Sequence, residues 1–177
     1  MKTTSILIAG FGGQGTLFAG KVLAIASLNK GLEVTWLPSY GPEMRGGTAN
    51  CSIIISDSPI GSPIVTRPDV LIALNKPSFE KYEKATKAGG IICVDANLVD
   101  SKSNRDDINV CYVPATELAR ECGNQSLSNI VLTAKAIKET GLFTEEEIAD
   151  AMKAIVPEKK AALREKNLKA IQSGMAV

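Results

Sequence analysis

Residues 6–20 read Ile-Leu-Ile-Ala-Gly-Phe-Gly-Gly-Gln-Gly-Thr-Leu-Phe-Ala-Gly. An apolar run passes straight into Gly10, Gly12, Gly13 and Gly15, and a helix-like pattern follows at once. Gly10, Gly12 and Gly15 fill the three glycine places of G-x-G-x-x-G. The first lets the chain turn sharply out of a strand. The second lets backbone come close to a ligand or to another loop, and the third lets the new helix pack tightly on a sheet. Backbone N–H groups at the start of that helix, at the positive end of its dipole, suit a phosphate or carboxylate. The motif gains meaning from following a strand and opening a helix. The plainer reading is a glycine-rich β-to-α turn that binds nothing.

A dinucleotide site of this kind needs an Asp or Glu at the end of the second strand, about 20 residues on, to hold the ribose hydroxyls. The second strand is expected at residues 33–37. It runs out into Pro38-Ser39-Tyr40 with no acid, and Glu33 stands at its start. No Arg replaces the acid to take a 2′-phosphate. Ordinary NAD or NADP binding is therefore disfavoured.

The chain's 177 residues are enough for one α/β domain and no more, so a single domain over 1–177 is expected. A hydrophobic share of 45% supports a normal core. With 20 basic and 19 acidic residues the net charge is +1, which gives no electrostatic footprint for nucleic acid or a membrane surface. Cys51, Cys93, Cys111 and Cys122 are widely spaced and form no C-x-x-C, so no iron–sulfur or zinc framework is visible. They read as reduced core residues of a cytoplasmic protein. Histidine is absent, which removes the commonest general base and a common metal ligand. No signal peptide is expected, and no apolar run is long enough to span a bilayer.

Along the chain, residues 4–9 read as a central strand and 14–30 as a helix closed by Gly31. Residues 38–47, Pro-Ser-Tyr-Gly-Pro-Glu-Met-Arg-Gly-Gly, read as a loop. Tyr, Glu, Met and Arg are costly in a spacer, so this is either a surface turn or a binding loop beside the glycine turn. In an open α/β sheet both loops would leave the carboxyl ends of strands, where ligands bind. Residues 48–56 alternate, with Ala49, Cys51, Ile53 and Ile55 on one side, as in a half-covered antiparallel strand. Buried strands follow at 70–74 and 91–95, and a short one at 109–113. A helix is expected from Pro77 to about residue 88. The last third is helical: 116–122, 128–140, a capping box at Thr144 and Glu147, and a final charged helix opened by Pro157.

With both loops in view, the sequence resembles the gamma subunit of 2-oxoacid:ferredoxin oxidoreductases, nearest the 2-oxoglutarate (KorC-like) and 2-ketoisovalerate branches. The residues that carry the likeness are Gly10, Phe11, Gly12, Gly13, Gln14 and Gly15, then Ser39, Tyr40, Gly41, Pro42, Glu43, Met44, Arg45, Gly46 and Gly47. Cys51, the Gly61-Ser62-Pro63 turn, residues 69–75 and Asn167-Leu168 agree with it. The resemblance implies a Rossmann-like α/β unit: a mostly parallel sheet flanked by helices, with a helical C-terminal third. It implies a complex that converts a 2-oxoacid, coenzyme A and oxidised ferredoxin to acyl-CoA, carbon dioxide and reduced ferredoxin. Thiamine diphosphate and magnesium would then sit between alpha and beta subunits. Iron–sulfur clusters would sit in the beta subunit or a ferredoxin-like delta subunit. The gamma domain would assist coenzyme A binding and assembly, and the isolated chain could be a homodimer.

The residues read alone agree with that division. No thiamine-type G-D-G…N-N metal motif, no cluster cysteines and no paired nucleophile and base occur. The glycine turn, through its backbone N–H groups, and Arg45, through its fork of donors, could together hold an anionic group such as a phosphate of coenzyme A. Two classes stay open: a non-catalytic subunit of a 2-oxoacid oxidoreductase, inactive when isolated, and an autonomous nucleotide-binding enzyme or regulator.

Overall fold

The computed structural model describes residues 3–43 and 46–177. Six strands form one sheet: β1 (Thr4–Phe11), β2 (Glu33–Tyr40), β3 (Thr48–Ser56), β4 (Val70–Ala73), β5 (Ile91–Asp95) and β6 (Asn109–Val113). Their order is β2-β3-β1-β4-β5-β6. β1, β4, β5 and β6 are parallel neighbours. β3 runs antiparallel to both β1 and β2, so β2 points the same way as β1. The sheet is therefore mostly parallel, as expected, with one reversed strand.

Among the described residues, six helices accompany it: α1 (Thr16–Asn29), α2 (Lys76–Tyr82), α3 (Ala115–Glu121), α4 (Ser128–Thr140), α5 (Glu145–Ile155) and α6 (Ala161–Ala176). One face of the sheet presents Ile6, Ile8, Ile53, Ile55, Val70, Ile72 and Cys93 to α1 and α4, whose outer sides are backed by α5 and α6. The other face presents Leu7, Leu71, Ala73, Ile92 and Val94, covered by Phe79 of α2 and by Val99. Burying the ring of Phe79 and the branched side chains around it supplies that face with its driving force. The unbroken apolar runs of β4 and β5 reflect this two-sided cover.

Several local expectations shift. β2 continues through Pro38, Ser39 and Tyr40 rather than ending at residue 37. It is an edge strand, where the missing proline N–H costs no ladder bond. The helix expected to reach residue 88 ends at Tyr82 and passes into a 3-10 turn, Glu83–Ala85. Pro157 precedes a 3-10 turn, Glu158–Lys160, and α6 begins only at Ala161. β3 is not half-covered: Ser52, Ile54 and Ser56 are buried as well. The capping box at Thr144 and Glu147 is formed on both sides.

Candidate functional site

The glycine turn joins β1 to α1 and is clamped by side chains. Gln14 folds back beneath it: its Oε1 accepts from the Phe11 N–H at 2.7 Å and from Asn75 Nδ2 at 2.8 Å, and its Nε2 donates to the Leu74 carbonyl at 3.0 Å. Asn75, buried after β4, also caps α2 by accepting from the Ser78 N–H at 2.9 Å. One glutamine thus ties the turn, the end of β4 and the start of α2 together. Gly13 and Gly15 have φ of 99° and 78°, where a side chain is strained. The close approach at Gly15 is to α4, not to the sheet as expected. A Cβ there would lie 2.4 Å from Asn129 Nδ2, which donates to the Gly15 carbonyl at 2.9 Å. Close packing of α1 on the sheet falls to Gly20, where a Cβ would meet the Cys51 sulfur at 2.5 Å. Burial pushes the Cys51 thiol up to about 12, against a smaller opposing effect of a hydrogen bond with Trp36, so it is no nucleophile at neutral pH.

The second loop is the tip of the β2–β3 hairpin. The Gly41 N–H donates to the Thr48 carbonyl at 2.8 Å. The Gly12 N–H donates to the Gly47 carbonyl at 2.8 Å, and the Gly46 N–H reaches the Gly12 carbonyl at 3.4 Å. The two glycine loops therefore clasp each other through backbone. A Cβ at Gly47 would lie 2.2 Å from the Glu43 carbonyl oxygen, so the tip admits only glycine there.

Beside the clasp, at the carboxyl ends of the strands, lies an open cleft of about 280 Å³ lined by Gly13, Gln14, Leu98, Thr116, Arg120, Gln125, Ser126 and Ser128. It lies over the starts of α1 and α4; α1 has no side-chain cap, whereas at α4 the Ser128 N–H donates to the Gln125 carbonyl and the Ile130 N–H to Asn129 Oδ1 at 2.9 Å. The first-turn donors of α1 and the dipoles of both helices favour negative charge. Arg120 adds a cation whose Nε reaches Gln125 Oε1 at 3.3 Å. The opposite wall is held by Asp95, which is fully buried and accepts from Thr116 Oγ1 at 2.5 Å and from the Asn97 N–H at 3.1 Å. A smaller cavity of about 60 Å³ lies on the other flank of the turn, between Gly10, Phe11, Ala49, Pro77 and Lys81.

Of the residues singled out by sequence, Gly10, Gly12, Gly13, Gln14, Gly15, Gly41, Gly46 and Gly47 share this rim. Tyr40, Pro42 and Glu43 are exposed about the hairpin. Tyr40 belongs to β2, not to the loop. Met44 and Arg45 lie outside the described residues. Two expectations need correction. The Gly12 and Gln14 N–H groups are not free for an anion, because they donate to the Gly47 and Phe11 carbonyls. The test for a ribose-binding acid assumed that β2 neighbours β1. β3 lies between them, so the end of β2 stands two strands from the turn, about 9–10 Å away. Asn75, Thr116, Arg120, Gln125, Ser126, Ser128 and Asn129 were missed. The polar run Asn124-Gln125-Ser126, ahead of a helical pattern, was the one available signal for their stretch. Among the described residues, no three His, Cys, Asp or Glu side chains converge to hold a metal.

The family model for pyruvate ferredoxin/flavodoxin oxidoreductase matches residues 5–177, which includes both clasped loops and the cleft. The chain belongs to this family. It is 39% identical to ketoisovalerate oxidoreductase subunit VorA of Methanothermobacter marburgensis over 98% of its own length and 36% of that protein's. It thus spans about a third of that longer relative. With 2-oxoglutarate synthase subunit KorC of Methanocaldococcus jannaschii it shares 35% identity over 97% of its length and 92% of that chain. The solved keto/oxoacid ferredoxin oxidoreductase gamma subunit of Geobacter sulfurreducens superposes with a TM-score of 0.87 at 31% identity, covering 99% of this chain and 96% of that one.

Proposed function

We propose that the chain is the gamma part of a multi-subunit 2-oxoacid:ferredoxin oxidoreductase, and that its carboxyl-end rim contacts coenzyme A and helps assembly. The reaction of the whole complex is 2-oxoacid, coenzyme A and oxidised ferredoxin to acyl-CoA, carbon dioxide and reduced ferredoxin, with 2-oxoglutarate as the 2-oxoacid. Alpha and beta subunits, with a ferredoxin-like delta subunit, hold thiamine diphosphate, magnesium and the iron–sulfur clusters. The complex works in the cytoplasm. The observation that carries this reading is the clasp of Gly12 on Gly47 beside a cleft that lies over the uncapped start of α1 and carries Arg120. A phosphate of coenzyme A seated there would take N–H donors from the first turn of α1 and a charge-assisted bond from Arg120. This chain binds and orients; it moves no electrons.

Arg45→Ala tests the hairpin's part. Removing one charge-assisted hydrogen bond of about 1.5–3 kcal/mol should raise the coenzyme A requirement of the reconstituted complex about ten- to hundredfold. Gel filtration run in parallel separates the possible roles. A raised requirement with normal assembly assigns Arg45 to the ligand, and failed assembly assigns it to a partner carboxylate. Unchanged kinetics and assembly would make it an ordinary surface charge. The substrate assignment is read from kcat/KM of the same complex with 2-oxoglutarate, 2-ketoisovalerate and pyruvate; a higher value for either of the last two would overturn it.

A further inference from the structure

Two of the four cysteines are neighbours. Cys93 of β5 and Cys111 of β6 are directly paired in the parallel register, so both side chains leave the same face of the sheet, beneath α4. Each thiol perturbs the other's ionisation, Cys93 upward and Cys111 downward. Adjacent strands lie roughly 4.7–4.9 Å apart, inside the range of Cα separations that a disulfide spans. The two thiols differ in access. Cys93 is fully buried, whereas Cys111 is half-buried on a strand at the edge of the sheet. Cys51 and Cys122 are both buried, and neither is register-paired with another cysteine. Nothing in the proposed coenzyme A site uses the pair, which lies beneath α4 in the strands and not at the carboxyl-end rim.

We propose that Cys93 and Cys111 are a modification site: a thiol pair that small-molecule disulfides oxidise reversibly to an intrachain disulfide without unfolding the sheet. The Cys111 thiolate attacks one sulfur of the small disulfide, forming a mixed disulfide and releasing one thiolate. Cys93 then gives up its proton and attacks the Cys111 sulfur. That step forms the Cys93–Cys111 bond, breaks the mixed disulfide and expels the second small thiol, which carries the proton. The protein loses two electrons and the small disulfide gains them. Cys111 is suited to the first step: it is the more accessible of the two, and Cys93 beside it holds its thiol below the usual value, with a smaller contribution from Lys135 of α4 against the opposing effects of burial and Glu139. Cys93 is held above the usual value by Cys111 and by burial.

The test treats the purified full chain with oxidised glutathione and identifies linked peptides by mass spectrometry, with circular dichroism confirming that the fold is kept. The expected product is a Cys93–Cys111 crosslink, reversed by reduced glutathione. C93S should stop at a stable glutathione adduct on Cys111, and C111S should not react. C51A/C122A should react like the parent; if any variant fails to fold, peptide mapping of the unmodified chain decides alone. A lasting glutathione adduct on Cys111 of the parent, a crosslink through Cys51 or Cys122, or a folded parent chain that stays fully reduced would each overturn the proposal.

Discussion

The two ends of the sheet each carry a polar cleft, and the larger is not the better candidate. At the amino ends of the strands, about 360 Å³ is enclosed by Thr4, Asp69, Lys87, Gly89, Gly90, Glu139 and Thr140. Its charges answer one another: Lys87 Nζ lies 2.8 Å from Asp69, and Lys135 lies 2.7 Å from Glu139. Asp69 further accepts from the Ser5 N–H and hydroxyl at 2.8 and 2.6 Å. It is also where α4 ends, at the negative pole of its dipole. The smaller cleft at the carboxyl ends lies over the starts of α1 and α4 and carries Arg120. Ligand capacity follows from helix polarity and from an exposed cation, not from volume.

The contrast is broken most forcefully at glycine. Gly15 and Gly89 both have left-handed φ, 78° and 74°, but a Cβ at Gly15 meets Asn129 whereas at Gly89 it meets nothing within 4 Å. Gly15→Ala should cost about 2–5 kcal/mol, the left-handed strain plus overpacking. Gly89→Ala should cost only about 1–2 kcal/mol. Denaturant midpoints of the two variants check this; equal losses would mean that the Asn129 contact yields freely.

Arg120→Ala comes next. It should leave stability within about 0.5 kcal/mol, because the side chain is exposed. In the reconstituted complex it should raise the coenzyme A requirement about tenfold or more. Lys87→Ala, at the other rim, should leave that requirement unchanged. If Lys87 mattered and Arg120 did not, the two rims would have to exchange roles.

The smallest effect is in acid. Burial pushes the Asp69 carboxyl up, but the hydrogen bonds and charge of Lys87 and Ser5 outweigh it and leave the value below the ordinary one. A carboxyl with a lower value folded than unfolded stabilises above about pH 4 and loses that contribution as pH falls through the folded value. The group is partly open to solvent, which screens the ion pair, so the effect is modest. Midpoints measured from pH 6 down to about pH 2 should fall less steeply for Asp69→Asn than for the parent. Parallel curves would show that Asp69 contributes nothing to the acid limb.

Much of the scaffold was legible in the residues, for identifiable reasons. β4 and β5 are unbroken apolar runs because both of their faces are covered, and the Thr144–Glu147 box is a local exchange of hydrogen bonds. The alternation of β3 marked an antiparallel strand. What alternation does not carry is lateral order, so the insertion of β3 between β1 and β2 was invisible, and with it the true distance from the turn to the end of β2. Pro38 argued for a loop; only the position of β2 at the edge makes it acceptable in a strand. Within the site, the glycines announced themselves by composition, but Asn129 and Arg120 are single polar residues on helices. They matter because the end of α3 and the start of α4 lie beside the turn, a tertiary fact with no local signature.

The central claim is that this chain binds and assembles while partner subunits carry out the redox chemistry. The direct measurement is 2-oxoglutarate-dependent reduction of a viologen dye with coenzyme A, thiamine diphosphate and magnesium supplied. It is made first with the purified chain and then with alpha, beta and delta subunits added. The account predicts no turnover by the chain alone and coenzyme A-dependent turnover once the partners are present. Turnover by the chain alone, or full coenzyme A-dependent turnover by the partners without it, would contradict the account.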